Sequence, residues 1–350
     1  MDRATEFQNL ASADQPARVS VVVPSYNHGR FVESTLRSIF KQTFVPAKLL
    51  VIDDGSTDDS PRTIERVLHD CPLPCELIVR PNRGLCATLN QGLRNTSGEY
   101  FAYLGSDDLW LPEFLAARVA MLSARPQAAL AYGHAFLIDA DNRIIDCTRD
   151  WANYTDGNVR TMLLQETIAP MSPTVLYRRS ILERHGWHEQ AKLEDYDLYL
   201  RLSRDGEFAF DPQVLSAWRR HEHNASRDFL WMIEARLAAQ QRVADHLGLT
   251  AGELEHFQTA LRFAGAEDLL RLGDKAEAAK LLRGNWRGSP SFVATLRVLA
   301  RILTPYSLMK YRRRRRQERA TARYGSLDIF PTPSGRGLGE GLADRRKSLS

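Results

Sequence analysis

The residues best suited to chemistry are acids, and they come in groups. Asp53-Asp54 and Asp107-Asp108 each follow an apolar run, and Glu194-Asp195 opens a third group that continues to Asp197. A coda, Trp218-Arg219-Arg220-His221, adds cations and an imidazole. Apolar β-branched runs that stop at acids place those acids at the carboxyl edge of an open parallel sheet, where ligands bind. Like charges set side by side repel unless a cation lies between them. A divalent metal carrying a diphosphate meets that need. The pattern points to an enzyme that holds a nucleotide-diphosphate compound.

The elements that position these acids alternate along the chain. Residues 18–23 form a β-branched run ended by Pro24, and residues 48–52, 75–80 and 100–104 form three more. Between them, residues 31–40, 60–68 and 85–93 carry helical spacing, with Pro61 at a first helical position. This predicts an α/β fold built on a Rossmann-like, parallel, doubly wound sheet. After Asp108 the alternation loosens into a helix over 112–124, a strand over 128–138 and a loop-rich stretch over 140–160. Helices follow near 161–165, 179–185 and 194–203. Residues 228–303 are almost purely helical, and 266–282 suggest an antiparallel helix pair. Residues 325–350, rich in Gly, Pro, Ser and Arg, read as disordered.

Composition bounds the rest. With 350 residues and a hydrophobic share of 43%, the chain suits one large α/β unit with a helical appendage. Cys71, Cys75, Cys86 and Cys147 have no zinc-like spacing beyond one C-x3-C, and read as reduced thiols of a cytosolic protein. The first 18 residues lack the apolar core of a signal peptide, and no run of about 18 apolar residues suggests a bilayer span. Residues 310–323 hold eight Lys/Arg and one Glu, so removing this local +7 from the net +4 leaves −3. The basic character belongs to the tail.

Several residues could contact a donor. Pro24, Ser25, Tyr26 and Asn27 end the first strand in a polar turn that can face a base or ribose, or cap a helix. Asp53 or Asp54 can accept from a pyrimidine N3–H, with Gly55 allowing a tight turn. Asn82, Arg83 and Gly84 lead into a helix carrying Asn90; a helix N-terminus beside an Arg suits a diphosphate, though a solvated Arg reads the same way. Asp107 and Asp108 offer hard oxygen donors for Mg²⁺ or Mn²⁺ rather than zinc, unless they only cap a helix.

Taken in order, VVVPSYN, VIDDGSTDDS, NRGLCATLNQGL, GEYFAYLGSDD and LEDYDLYLRL resemble the family 2 glycosyltransferases with a GT-A fold. The resemblance implies inverting transfer of a sugar from a nucleotide-diphosphate donor, with Mn²⁺ or Mg²⁺. It implies that Ser25, Asp53 and Asp54 contact the nucleoside, Arg83 the diphosphate, and Asp107 and Asp108 the metal. The family's ED motif makes Asp195 the base that takes the acceptor proton, with Glu194 as the fallback; a carboxylate can do this within hydrogen-bond reach. Glu194 also suits the positive end of its helix. Arg219 and His221, with Asn224 and Ser226, resemble an R-x-H…N-x-S segment. His221 would then be a third metal ligand or a diphosphate contact, and Arg219 a neutralising charge; a surface His is the alternative. Two departures stand out. Gly105 fills a position where many members have Asp, and Thr88-Leu89 replace an Ala-Arg pair that supplies a helix Arg.

The tail carries its own signal. Residues 292–303 are apolar along one face, with Arg297 and Arg301 at i, i+4, and residues 306–316 add six basic side chains beyond Pro305. This fits a helix lying on an anionic membrane surface. A solvated basic helix or a nucleic-acid patch are the alternatives, and the adjoining apolar stripe favours membrane over nucleic acid. The expected organisation is a flexible N-terminus (1–17), a GT-A domain (18–227), a helical accessory region (228–305), a basic amphipathic segment (306–324) and a disordered tail (325–350). The segment from 306 onward reads as separable from donor chemistry. The expected protein is cytoplasmic, peripheral on the inner face of the membrane. It would pass a sugar to a glycan or lipid-linked acceptor in cell-surface polysaccharide or lipopolysaccharide synthesis. A nucleotidyltransferase would need a Gly-rich, Lys-bearing loop where residues 24–30 stand. A helical interaction module would need at least three repeats, and one helix pair is visible.

Overall fold

A computed structural model describes residues 18–222 and 228–327. Residues 1–17 and 328–350, together with Asn224 and Ser226, lie outside the described residues. The alternating half begins with β1 (Val19–Ser25), α1 (Val32–Phe40), β2 (Lys48–Asp53) and α2 (Ser60–His69). It continues with β3 (Cys75–Val79), α3 (Leu85–Arg94) and β4 (Tyr100–Tyr103). These four strands pair in parallel in the order β3-β2-β1-β4. Both faces of β1, β2 and β4 are covered, so their sequences are continuous apolar runs rather than alternations, while β3 is the exposed edge. Val19, Val21 and Val23 pack with α1, α2 and the later helix α4 (Phe114–Ala124). Val22, Leu50 and Ile52 pack on the opposite side with Leu89 of α3.

The expected α/β class holds, but beyond β4 the sheet is mixed. β5 (Leu109–Trp110), β6 (Ala128–Ile138), β7 (Ile144–Cys147), β8 (Leu176–Arg178) and β9 (Glu207–Arg219) extend it to nine strands among the described residues. β8 lies antiparallel between β4 and β6, β9 runs parallel to β6, and β5 runs antiparallel to β9. The long β9 escapes a periodicity reading because Pro212 and Gln213 fall in a bulge, where the pairing jumps from Gly133–Asp211 to His134–Val214. Asp211 at that bulge is paired internally with the buried Arg118 at 2.5 Å. The helices on this half are α5 (Arg160–Leu164), α6 (Arg179–His185) and α7 (Glu194–Asp205).

The helical region comprises α8 (Phe229–Leu247), α9 (Ala251–Leu272), α10 (Lys275–Leu282) and α11 (Phe292–Leu303). Gly273, left-handed at φ +93°, ends α9 before the expected antiparallel partner α10. Asp197 of α7 accepts from Arg242 of α8 at 2.8 Å, and Gln240 of α8 donates to the Tyr196 hydroxyl at 3.1 Å. Through these contacts the helices brace the sheet domain.

The last helix, α12 (Tyr306–Tyr324), corrects the reading of a separable tail. Its far end docks on β7, where the Thr321 hydroxyl donates to the Ile144 carbonyl at 2.7 Å and Arg316 pairs with Asp146 at 3.1 Å. Residues 325–327, expected to be disordered, continue that contact. Ile144 N–H donates to the Gly325 carbonyl at 3.0 Å, and Leu327 N–H to the Asn142 carbonyl at 3.0 Å. Leu327 then completes a small apolar cluster with Leu109, Ile138, Ile144 and Ala217.

Candidate active site

The ends of β1 and β2 form the first wall. Ser25 and Asp53 are register partners, and Asp54 N–H donates to the Ser25 carbonyl at 2.8 Å. Asp53 is fully buried and accepts from Ser56 N–H at 2.9 Å and from its hydroxyl at 2.7 Å. Asn27, left-handed at φ 54°, takes Thr57 N–H on its side-chain oxygen at 2.8 Å. Gly55 is required here on two counts. Its φ is +81°, and a Cβ would stand 2.7 Å from Asn82 N. Tyr26 is exposed and Pro24 half-buried, while the Ser25 hydroxyl is buried with no hydrogen-bond partner among the described residues. An orphaned buried hydroxyl is costly unless a ligand completes it.

Asp54 serves mainly as a positioning residue. Its carboxylate accepts from Arg83 N–H at 2.9 Å and Gly84 N–H at 2.8 Å, and pairs with Arg80 at 2.6 Å. That pins the turn before α3 and leaves Asn82, Arg83 and Gly84 exposed. Arg80, just past β3, donates to the Thr88 hydroxyl at 2.7 Å while it holds Asp54. Sequence reasoning missed Arg80, which looks like the last residue of a strand. Asn90 is a correction. Its amide donates to the Trp187 carbonyl at 2.7 Å and its oxygen accepts from Trp187 N–H at 2.8 Å, so it clamps α3 to the chain after α6. Each end of that carboxamide already has a backbone partner, so its role in the fold is to hold α3 rather than to face the donor turn.

The second wall is the segment between β4 and β5. Asp107 Oδ2 lies 3.0 Å from His221 Nε2, and Asp107 Oδ1 lies 3.8 Å from His28 Nδ1. One ligand atom from each of the three falls within 4.8 Å of the others. His28 also meets the Ser106 hydroxyl at 2.8 Å. Phe31 stacks on the His221 ring at 4.8 Å and fixes its pose. His28 is the second residue that sequence reasoning missed, because a single histidine in a polar turn has no periodicity to betray it. Gly105 keeps the site open: a Cβ there would stand 3.0 Å from Asp107 Oδ1 and 3.2 Å from Asp108 Oδ2.

Asp108 stands apart from this cluster. Its carboxylate accepts the Arg219 N–H at 2.8 Å and tethers β9 to the β4–β5 turn. Arg219 corrects the expectation of a charge reaching the diphosphate. It is fully buried; its Nε donates to the Asp107 carbonyl at 2.7 Å and its Nη1 to the Asp139 carbonyl at 2.9 Å. Its guanidinium lies 4.9 Å over the Phe31 ring. Arg219 therefore shapes the metal-competent loop from behind.

Electrostatics separates the neighbouring aspartates. Burial works to raise the Asp107 carboxyl, but the His221 hydrogen bond and the charge of His28 outweigh it and hold the carboxyl below its usual range. Asp108 is pushed well above that range by burial and then by the charge of Asp107. The anion of the pair therefore sits on Asp107, facing the imidazoles. One carboxylate with two imidazoles is a mixed oxygen and nitrogen set, in which His28 joins the Asp107 and His221 ligands expected from the sequence and Asp108 drops out.

The third wall is the first turn of α7. Asp195 accepts from Tyr196 N–H at 2.6 Å, and the Tyr103 hydroxyl at the end of β4 donates to Glu194 at 3.3 Å. Both acids are half-buried. Burial raises the Glu194 carboxyl to about 8, helped by the adjacent Asp195 charge. Burial also raises Asp195, against the pull of Tyr196 N–H and Arg236. Asp197 is turned inward and paired with Arg201 at 3.0 Å.

Residues 20–186 match the model of "Glycosyl transferase family 2". These residues form a family 2 glycosyltransferase domain. Among curated relatives, an uncharacterized glycosyltransferase of Nostoc sp. is 27% identical over 170 residues, 48% of this chain and 52% of the relative. Chondroitin synthase of Escherichia coli is 26% identical over 227 residues, 64% of this chain and 32% of the relative. The chain therefore spans about half, or less, of these relatives' length. The fold is shared with two solved structures. One is the mannosyltransferase PcManGT of Pyrobaculum calidifontis in complex with GDP-Man and Mn²⁺, with TM-score 0.58, 20% identity, and coverage of 88% of this chain and 86% of that one. The other is S. aureus TarS 1–349 in complex with UDP-GlcNAc, with TM-score 0.55, 17% identity, and coverage of 88% and 92%. The family 2 domain thus has a GT-A sheet, and its C-terminal helical region is the expected one.

Proposed function

We propose that this chain is a metal-dependent, inverting glycosyltransferase that moves a sugar from a nucleotide-diphosphate donor to a glycan or lipid-linked acceptor. The observation that carries the reading is the convergence of His28, Asp107 and His221 at the end of β4, on a family 2 domain. Those three residues would hold the ion, and Mn²⁺ suits their donor set. When bound, the ion neutralises charge growing on the departing diphosphate. The neighbouring structure with GDP-Man and Mn²⁺ supports the choice of ion by fold analogy.

The chain's own residues supply the rest. The Ser25 hydroxyl and the exposed turn at Asn82, Arg83 and Gly84 bind the donor from the β1–β3 side, and Asp53 and Asp54 hold those turns in shape. Asp195 takes the acceptor hydroxyl proton as the new bond to the anomeric carbon forms and the bond to the diphosphate oxygen breaks. Glu194, carrying a proton up to about pH 8, keeps a second negative charge away from that base. The test is a thermal-shift screen of nucleotide sugars with and without Mn²⁺, because a ligand bound only by the native state raises its melting temperature. One donor should stabilise the protein in a Mn²⁺-dependent way; uniform silence across UDP-, GDP- and dTDP-sugars would refute the reading.

A further inference from the structure

Of fourteen large apolar side chains exposed among the described residues, nine fall between Trp286 and Tyr311. On α11 they are Phe292, Val293, Leu296, Leu299 and Leu303, spaced to lie along one side of the helix. Phe292 is 76% exposed and Leu303 83%. The opposite side, Ala294 and Val298, is buried against Phe263, Leu269 and Leu282 of the helical core. Arg297 and Arg301 do not share the open face. Both reach back to Glu267, Arg297 at 3.8 Å. Lys275 caps the C-terminal carbonyls of α11, donating to Ile302 at 2.7 Å and Thr304 at 2.8 Å. The outward side of α11 is therefore apolar, with Arg297 and Arg301 turned toward Glu267.

At Pro305 the chain bends by 114° into α12, whose first turns expose Tyr306, Leu308 and Tyr311 beside Lys310 and Arg312 through Arg315. No single helix among the described residues is long and apolar enough to cross a membrane. An apolar ridge flanked by tyrosines and then by a cationic run matches the layers of a membrane interface: acyl boundary, headgroup level and anionic phosphate. We propose that α11 inserts this ridge into the interface of an anionic bilayer, while the start of α12 lies along its phosphates. A second copy of the chain is a poorer occupant, since two-fold pairing through this face sets one arginine run against its twin. Nucleic acid is poorer too, because it leaves the five apolar side chains of α11 wet. This goes beyond the transfer reading and needs neither donor nor metal.

The full chain should float with phosphatidylcholine vesicles containing roughly one-third phosphatidylglycerol, and much less with pure phosphatidylcholine. The double substitution Phe292→Asp/Leu303→Asp touches only open positions, so circular dichroism melting should match wild type. It should weaken binding to anionic vesicles by about tenfold or more. Replacing Arg312 through Arg315 with Gln should weaken it by a similar order and remove its salt dependence. Unchanged flotation of Phe292→Asp/Leu303→Asp would overturn the insertion of α11. Wild-type protein that ignores both vesicles, whether it forms dimers through this face or shifts a nucleic-acid probe instead, would overturn the membrane assignment and leave glycosyl transfer standing.

Discussion

Two acidic centres face the same sheet edge and are tuned in opposite directions. Asp107 sits between two imidazoles and is held anionic despite its burial. Glu194 and Asp195, on the first turn of α7, meet fewer cations, and burial drives both carboxyls upward. A group that must hold a metal needs its charge before the ligand arrives. A group that must accept a proton gains from a raised affinity for it. The difference also lies in what braces them. The Asp195 centre is fixed mostly from its own helix, by Tyr196 and by Asp197 with Arg201, and Arg242 of α8 holds Asp197 from outside. The Asp107 centre is fixed from far along the chain, by Arg219 on β9 and, behind it, the Asp139–Arg143 turn that the end of α12 supports.

The largest effects should separate the two roles. Asp107→Asn should lower transfer by about a thousandfold or more and abolish the Mn²⁺-dependent part of the thermal shift. Turnover near wild type would remove Asp107 from the metal centre. Asp195→Asn should lower transfer by about a hundredfold to ten-thousandfold while leaving donor affinity, read by calorimetry, unchanged. Loss of donor binding in that variant would break the contrast, since both acids would then belong to one binding site. His28→Ala should have a smaller effect, confined to the metal. We expect Mn²⁺ affinity, read by electron paramagnetic resonance titration, to fall about tenfold, with a smaller change for Mg²⁺.

Much of this contrast was legible in the sequence, and the gaps have physical causes. Asp107, Asp195 and His221 stand where a strand, a helix and an ordered motif place them, so their neighbourhood follows from local pattern. The parallel half was equally plain, because both faces of β1, β2 and β4 are buried and the runs are unbroken. What periodicity could not carry was contact across long separations. His28 meets Asp107 through a turn 79 positions earlier, and Arg80, just past β3, joins Asp54 to the Thr88 hydroxyl of α3. Asn90 and Arg219 were placed in the right neighbourhood, but both bond to backbone partners that only the fold brings near. The β9 strand is hidden by its own bulge.

The far-reaching brace can be broken without touching the near one. Deleting residues 306–350 strips Leu327 from its apolar cluster and removes the carbonyl of Gly325 that Ile144 N–H uses. The Asp139–Arg143 turn should loosen, and Arg219 with it. We expect a stability loss of about 2–4 kcal/mol and Mn²⁺ affinity reduced by about tenfold, with the Asp195 centre unaffected. Chemical denaturation and metal titration of the truncated chain check both. If metal binding is retained at full strength, the long-range brace is not part of the Asp107 centre.

The smallest effect sharpens the near centre, and its sign is fixed by linkage. In the unfolded chain Glu194 loses its proton near 4.5, whereas in the folded protein it keeps it to about 8. Between those values the folded state binds more protons than the unfolded one, so stability falls as pH rises through that window. Because Glu194 is half-buried rather than sealed, the loss should be modest, on the order of 1–3 kcal/mol. Glu194→Gln cannot ionise, so its stability curve should run flatter than wild type from about pH 5 to pH 8 and cross above it at the alkaline end. The Asp107 centre should show the reverse slope, since a carboxyl held below its usual range loses stability only when acid protonates it. Identical pH profiles for wild type and Glu194→Gln would mean that this carboxylate ionises normally, and the opposed tuning of the two centres would then rest on Asp195 alone.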